Sequence, residues 1–209
     1  VLIRVGVDEP LDFRFKEIVS TIKGEFNAPF AIGGGIRSDE DARLLFTLGA
    51  DKIVINSILY HNKDLARSLI NRYGSQSIVA SIDYRSTFPD DENSSIQHLY
   101  YDGGKRTELN LFTKLAEVEE LGCGEILLRS IDKDGTASGL DLETLNCMNP
   151  VGLPIIFSGG CGKPEHILAG LKHEMVDAVC TSNLLNFIND GLAKAKQFLV
   201  SSGANVTNL

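Results

Sequence analysis

Hydrophobic positions along this chain fall into short apolar runs that alternate with amphipathic stretches. The apolar runs predict seven buried strands, at residues 1–5, 30–32, 52–55, 77–82, 125–128, 154–157 and 178–180. Between them, apolar residues recur at helical spacing, which predicts helices at 13–23, 63–73, 111–121, 141–148, 164–172 and 189–201, and one opening at Ser38. The polar segment 85–106 predicts a long loop with a short hairpin around 97–101. Alternating strands and helices indicate an α/β fold with a parallel sheet.

One long stretch of the chain occurs twice. Residues 29–57 read PFAIGGGIRSDEDARLLFTLGADKIVINS, and residues 154–182 read PIIFSGGCGKPEHILAGLKHEMVDAVCTS. The offset is 125 residues without a gap, so that Pro29 falls on Pro154 and Ser57 on Ser182. Each copy contains a strand, a glycine pair, a helix, a second strand and small polar residues. The fold is therefore built from duplicated units.

The duplication also predicts the number of units. With the same offset, strands one to three match strands five to seven, and the partner of the fourth strand would lie before Val1. We therefore expect a (βα)8 TIM barrel of two (βα)4 half-barrels, with the first βα unit absent from this sequence. The 209 residues would form a single domain (1–209), since barrels of this size commonly do. Val1 in place of Met leads us to expect a native start further upstream.

Composition and charge narrow the classes of function. The net charge is −8 at pH 7 and the chain has no basic cluster, so we expect no nucleic-acid partner and no membrane surface. No apolar run approaches the ~20 residues that a bilayer crossing needs. No motif implies a metal or another cofactor. The four cysteines show no zinc or disulfide spacing, and we interpret them as reduced, mostly buried thiols of a cytoplasmic protein: Cys123, Cys147, Cys161 and Cys180.

Glycines and small polar residues follow the strands in both copies of the repeat, where a parallel barrel has its active site. Glycine lets a backbone approach phosphate oxygens, and N–H groups at a helix start favour anions. We therefore expect one phosphate site in each copy. The expected binding residues are Gly35, Asn56 and Ser57 in the first copy, and Gly159, Gly160, Thr181 and Ser182 in the second. The alternative is that the glycine pairs only connect strand to helix.

Several longer motifs carry a resemblance to a known enzyme family. They are GGG at 33–35, ADK at 50–52, INS at 55–57, ID at 82–83, GEILL at 124–128, SIDKDGT at 130–136 with SG at 138–139 and Asp141, SGG at 158–160, GK at 162–163 and EH at 165–166. Over nearly its whole length the chain resembles the cyclase subunit of imidazole glycerol phosphate synthase, from histidine biosynthesis. The sister isomerase shares GGGIRS and a DxDGT loop, whereas ADKIVINS and the Ser182 region are more similar to the cyclase.

The resemblance implies an ammonia-dependent cyclase and lyase without a cofactor. Its substrate would be a phosphoribulosyl-formimino aminoimidazole carboxamide ribotide, and its products imidazole glycerol phosphate and aminoimidazole carboxamide ribotide. A glutaminase subunit would supply the ammonia within a heterodimer. Two phosphate sites, half a barrel apart, suit a substrate with a phosphate group at each end.

Asp83 ends the fourth predicted strand and is the candidate catalytic residue, acting as a general acid or base. The resemblance implies a second aspartate at the end of the first strand. That strand belongs to the unit that this sequence lacks, so we expect either that the chain as given is inactive or that the missing unit exists upstream of Val1. Asp134 lies in what resembles the family's substrate-binding loop. The alternatives are a salt bridge of Asp83 with Arg85 or the following loop, and ordinary turn chemistry for Asp134.

Lys52 and Glu125 each begin a strand, on the bottom face of the expected barrel. By the resemblance, their charges help to form a gate through which ammonia enters, and Asp51 would face the glutaminase partner. The alternative is a solvated strand end or a simple ion pair.

Arg129 departs from the family pattern. It stands where the cyclase usually has a small hydroxyl residue facing the substrate, and an arginine there could bind an additional carboxylate or phosphate, or block the pocket. Residues 103–110 keep the family pattern only in part. Two alternatives to the histidine enzyme therefore stay open: a paralogue that supplies ammonia for the amidation of surface-polysaccharide sugars, and a phosphate-binding scaffold that is not an enzyme.

Overall fold

The computed structural model describes residues 1–5, 13–25, 28–87, 96–102, 104–182, 184 and 191–206. The chain divides into two compact units. The first unit contains residues 1–81, 101–105 and 117–125, and the second contains residues 82–100, 106–116 and 126–209. The expectation that residues 1–209 form a single domain remains a prediction.

The first unit contains a parallel sheet whose strands are connected by helices. Its strands pair in chain order: β1 (Leu2–Ile3), β2 (Ala31–Gly33), β3 (Lys52–Ile55) and the beginning of β4 (Ile78–Thr87). Its helices are α1 (Phe13–Glu25), α2 (Asp39–Thr47), α3 (Ile58–His61) and α4 (Lys63–Tyr73), followed by a 3-10 turn (Ser75–Ser77). Strand residues Ile32 and Ile53 and helix residues Leu45 and Leu69 are fully buried, as expected for a parallel sheet covered by helices.

The second unit repeats this arrangement and adds a hairpin. Strands β7 (Glu125–Ser130), β8 (Ile155–Ser158) and β9 (Ala178–Cys180) are parallel neighbours, and the end of β4 lies beside β7. The hairpin consists of β5 (Ile96–Tyr101), which is antiparallel to β4, and β6 (Lys105–Asn110). The helices are α5 (Leu111–Leu121), α6 (Leu142–Cys147), α7 (Pro164–Leu171) and α8 (Gly191–Ser201). Five elements have residues in both units: β4, β5, β6, β7 and α5.

Most element positions agree with the prediction from the sequence, and helix starts show why. The Ser38 hydroxyl accepts the N–H of Asp41 at 3.1 Å, and the first turn of α2 is acidic, which suits the positive end of a helix. At the equivalent place in the second copy, Pro164 occupies the first turn of α7, where its missing N–H has no cost. The alternation of parallel strands and helices confirms the predicted α/β fold.

Strand β4 differs from the prediction because it does not end at Asp83. Residues 83–87 continue as a strand, since they pair with residues 96–100 of β5. The expected long loop is therefore in part an extension of the sheet, and residues 88–95 lie outside the described residues. Helix α3 was not predicted, because four residues are too few to show a helical period.

The two glycine pairs have nearly the same backbone conformation. The φ angles of Gly34 and Gly35 are 95° and 77°, and those of Gly159 and Gly160 are 106° and 84°. A Cβ on Gly34 would lie 2.0 Å from the carbonyl oxygen of Arg4, and one on Gly159 would lie 2.5 Å from that of Ser130. Glycine is therefore required by the neighbouring backbone, independently of any ligand.

This close approach gives a prediction for Gly34→Ala. The variant should lose at least about 1–2 kcal/mol of the free energy of unfolding, because a side chain at positive φ is strained, and the clash adds to that loss. Urea denaturation measures it. Gly24→Ala is the matched control, since its Cβ would meet nothing within 4 Å; it should change stability by less than about 1 kcal/mol. Equal losses in the two variants would contradict the packing argument.

Candidate functional site

The second unit contains a small pocket, with a cavity volume of about 20 Å³, at the ends of β8 and β9. The backbone brings four of the predicted phosphate-binding residues together there, with Asp134 on the loop after β7. The lining residues are Asp134, Gly135, Ser158, Gly159, Gly160, Cys161, Cys180, Thr181 and Ser182. The sequence predicted no role for Gly135, Ser158, Cys161 or Cys180. Register could have indicated Cys180, because it pairs with Ser158 across β8 and β9.

Hydrogen bonds around this pocket show which polar groups are already used within the protein and which could bind a ligand. Thr181 Oγ1 donates to the carbonyl oxygen of Cys161 at 2.8 Å, so its hydroxyl holds the pocket wall. The Ser182 side chain is exposed, and its hydroxyl makes no hydrogen bond within the part of the chain that the structure describes. Burial raises the pKa of the Cys161 thiol, which disfavours a reactive thiolate. Ser182 and the backbone at the glycine pair are therefore the groups suited to an anion.

The equivalent residues of the first unit follow two neighbouring strands. Gly35 comes after β2, whereas Asn56 and Ser57 come after β3, and these strands pair in register. Because β2 and β3 are parallel, all three residues lie at the same edge of the sheet. Asn56 Nδ2 donates to the carbonyl oxygen of Ser81 at 3.1 Å, so this amide also ties β3 to β4. Ser57 is the N-cap residue of α3, and its side chain makes no capping hydrogen bond.

Asp83 forms a bidentate ion pair with Arg129. Arg129 Nε donates to Asp83 Oδ1 at 3.1 Å, and Nη2 donates to Oδ2 at 2.7 Å. The Asp83 side chain is 14% exposed and that of Arg129 is 37% exposed. Nη1 of Arg129 lies 3.8 Å from Asp134 Oδ2. Burial alone would lower the pKa of Arg129, but the hydrogen bonds and charge of Asp83, together with Asp134, raise it.

The sequence named Arg85 as one possible partner of Asp83, but the structure pairs Asp83 with Arg129. The guanidinium of Arg85 lies 3.9 Å from Asp132 and over the ring of Tyr100, with 5.4 Å to the ring centroid. The signal for the observed pair was present in the barrel hypothesis, because strands four and five of a barrel are neighbours. Residues at their ends are therefore expected to meet.

A buried polar network beside Asp83 was not predicted. The hydroxyl of Tyr84 donates to Asp141 Oδ2 at 2.9 Å, and Thr144 Oγ1 donates to the same oxygen at 2.8 Å. The N–H of Thr144 donates to Asp141 Oδ1 at 3.2 Å, so Asp141 also caps α6. The Ser86 N–H donates to Asp132 Oδ2 at 2.9 Å. The end of β4 therefore holds the loop that carries Asp134.

Lys52 and Glu125 form an ion pair within the first unit. Each is the first residue of its strand, and their side chains are 30% and 24% exposed. Asp51 accepts hydrogen bonds from Lys23 Nζ at 2.9 Å and from the N–H of Phe30 at 2.8 Å, and these lower its pKa. The second copy repeats this feature, since Asp177 accepts the N–H of Ile155 at 2.8 Å. Asp51 thus has a local structural role, and its contact with a partner remains a prediction.

Comparison with known protein families decides the ancestry of this site. The sequence profile of the family described as histidine biosynthesis protein matches residues 13–187. The chain belongs to this family. Histidine biosynthesis proteins of this family are TIM-barrel enzymes and include both the isomerase and the cyclase of the pathway. The family-level resemblance and the fold class are therefore confirmed, and the match does not separate the two activities.

Among the described residues, no group of three or more His, Cys, Asp or Glu side chains is placed to hold a metal ion. None of the helices in the described part of the chain is long and apolar enough to cross a membrane.

Two of the four free cysteines, Cys123 and Cys161, are buried, whereas Cys147 is exposed and Cys180 is half-buried. The expectation of mostly buried thiols is thus correct for only two of them.

The buried network gives a prediction for Tyr84→Phe. The variant loses one donor to a buried carboxylate and should be about 1.5–3 kcal/mol less stable near neutral pH. Burial, followed by the charge of Asp141 and the hydrogen bond to it, raises the pKa of Tyr84 above its ordinary value of 10.0. Above that pH the unfolded protein releases a proton that the folded protein keeps. Wild-type stability should therefore fall with pH, by up to about 1.4 kcal/mol per pH unit more than that of the variant.

Urea denaturation between neutral pH and pH 11 measures both effects. Tyr73→Phe is the matched control, because the Tyr73 hydroxyl is buried without a hydrogen-bond partner among the described residues. The control should keep the alkaline slope of the wild type. If Tyr84→Phe keeps that slope too, Tyr84 is not the group responsible.

Proposed function

We propose that the chain is a cyclase of the imidazole glycerol phosphate synthase type. It would combine ammonia with the phosphoribulosyl-formimino aminoimidazole carboxamide ribotide and release imidazole glycerol phosphate, aminoimidazole carboxamide ribotide and water. The observation that carries the proposal is the Lys52–Glu125 ion pair, where the resemblance implies an ammonia gate. An isomerase has no need for such a gate, because no second reactant enters its site.

A bisphosphorylated substrate is supported by the two duplicated glycine pairs with their small polar residues. In the second unit, Ser182 and the glycine pair line the pocket, where they would donate to a phosphate group. The carboxylate of Asp134 would repel an anion there, and Arg129 offsets that charge from 3.8 Å. In the first unit, Gly35 and Ser57 lie at one sheet edge and suit the other phosphate. Oxygen-rich ligands of this kind bind by N–H and hydroxyl donors without a metal.

Asp83 is the candidate catalytic residue. Its carboxylate lies on β4, where Arg129 holds it beside the loop that carries Asp134, and a carboxylate at such a place can accept a proton during cyclisation. Glutamine hydrolysis in the proposed glutaminase partner would supply the ammonia, so the working enzyme would be a heterodimer.

The Asp83–Arg129 pair favours a second candidate. An arginine in place of a small hydroxyl residue changes the part of the site nearest to Asp83. A paralogue that delivers ammonia for the amidation of surface-polysaccharide sugars would need a different reactive end from that of the histidine enzyme. In the third alternative, a scaffold without catalysis, Asp83 would serve only as the partner of Arg129.

Turnover with ammonium ions tests the cyclase directly. The full-length gene product should convert the histidine-pathway substrate when ammonium is present, and Asp83→Asn should reduce kcat by about 10²–10⁴-fold. Asp64→Asn is a matched control, because this exposed carboxylate pairs with Arg67 within α4. Absence of turnover, together with tight binding of a bisphosphate ligand, would remove the histidine reaction and leave the paralogue or the scaffold.

The gate has its own test in the complex with a glutaminase. Lys52→Met should lower glutamine-dependent turnover severalfold relative to ammonium-dependent turnover, because ammonia from the partner has to pass the ion pair. Lys63→Met is the matched control, since Lys63 forms an ion pair with Glu117 at 3.0 Å in the same unit. Equal effects of the two variants on this ratio would show that Lys52–Glu125 is an ordinary ion pair.

A further inference from the structure

We propose that Arg129 is a positioning residue that holds Asp83 in the orientation for proton transfer, an inference that rests on the proposed function. This role differs from the one predicted from the sequence, in which Arg129 binds an anionic group of the substrate. Two observations support it: the geometry of the pair and the second carboxylate beside Arg129.

The geometry of the pair fixes the carboxylate of Asp83. Two N–H groups on one edge of the guanidinium of Arg129 reach one oxygen each, at 3.1 and 2.7 Å. Such bidentate contact sets the plane of the carboxylate as well as its distance, which a single ammonium group does not do. Because Asp83 is only 14% exposed, water competes little for these bonds.

Arg129 is itself held from its other side. Its Nη1 atom faces Asp134 at 3.8 Å, and Asp134 belongs to the loop that Tyr84 and Ser86 tie to β4. The guanidinium therefore lies between two carboxylates, with the shorter contacts to Asp83. An arginine in this arrangement has a defined rotamer before any ligand arrives.

The N–H donors of Arg129 are directed to protein carboxylates, to Asp83 at 2.7 and 3.1 Å and towards Asp134 at 3.8 Å. Its contribution to the reaction would therefore pass through Asp83, because displacement of a catalytic group by about 1 Å can cost 10²-fold in rate.

Steady-state kinetics of the full-length protein with ammonium and the histidine-pathway substrate tests this role. Arg129→Lys should lower kcat by about 10–100-fold and leave KM nearly unchanged. In Arg129→Ala, added guanidinium chloride at non-denaturing concentration should restore part of kcat, whereas methylammonium chloride should not. Arg85→Lys is the matched control, since Arg85 contacts Asp132 and Tyr100, and its kinetics should equal those of the wild type.

Two kinetic outcomes would overturn the proposal. A rise in KM with unchanged kcat would assign Arg129 to substrate binding, and a rise in kcat would show that Arg129 obstructs Asp83.

A wild type without turnover would instead remove the proposed function. In that case the urea midpoints of Asp83→Asn, Arg129→Gln and the double variant still decide on the pair, because coupled residues lose less together than the sum of the single losses. Additive losses of stability would show that Asp83 and Arg129 do not interact, and the positioning role would then be wrong.

Discussion

The change of pairing along β4 is the constraint on which the second unit's site depends. Its first residues pair in parallel with β3, and from Asp83 onward it pairs in antiparallel register with β5. The strand therefore continues past the point at which a barrel strand usually ends. That continuation places Tyr84 and Ser86 where they can anchor the loop after β7, so that both Asp83 and Asp134 are held by the same strand.

Carboxylate and guanidinium groups alternate around the last residues of β4. Asp83 and Asp134 lie on opposite sides of Arg129, and Asp132 lies near Arg85. Each carboxylate is offset by a guanidinium, which lets acids remain beside a pocket that we expect to receive phosphate. Exposed ion pairs contribute little to stability, whereas the half-buried Asp83–Arg129 pair makes two hydrogen bonds that also fix the orientation of the carboxylate.

Much of the fold followed from the sequence because its signals are local. The bounds of β3, α4 and α5 agree with the prediction, since apolar periodicity and flanking glycines define them. The pocket residues Gly160 and Ser182 were found because they recur at a fixed offset. The partner of Asp83 and the Tyr84–Asp141 bond were missed, because they join residues that are 46 and 57 positions apart. Only the order of neighbouring strands brings such residues together.

The glycine pairs have a consequence for the comparison of sequences. Because Gly34 and Gly159 are required by the carbonyl groups of Arg4 and Ser130, a descendant that bound a different ligand would still retain both glycines. Retained glycines would then record shared ancestry and not shared chemistry. The hydroxyl residues that follow the next strand, such as Ser57 and Ser182, have no such backbone requirement. Loss of these hydroxyl residues would therefore indicate, before any loss of the glycines, that a barrel of this family had changed its ligand.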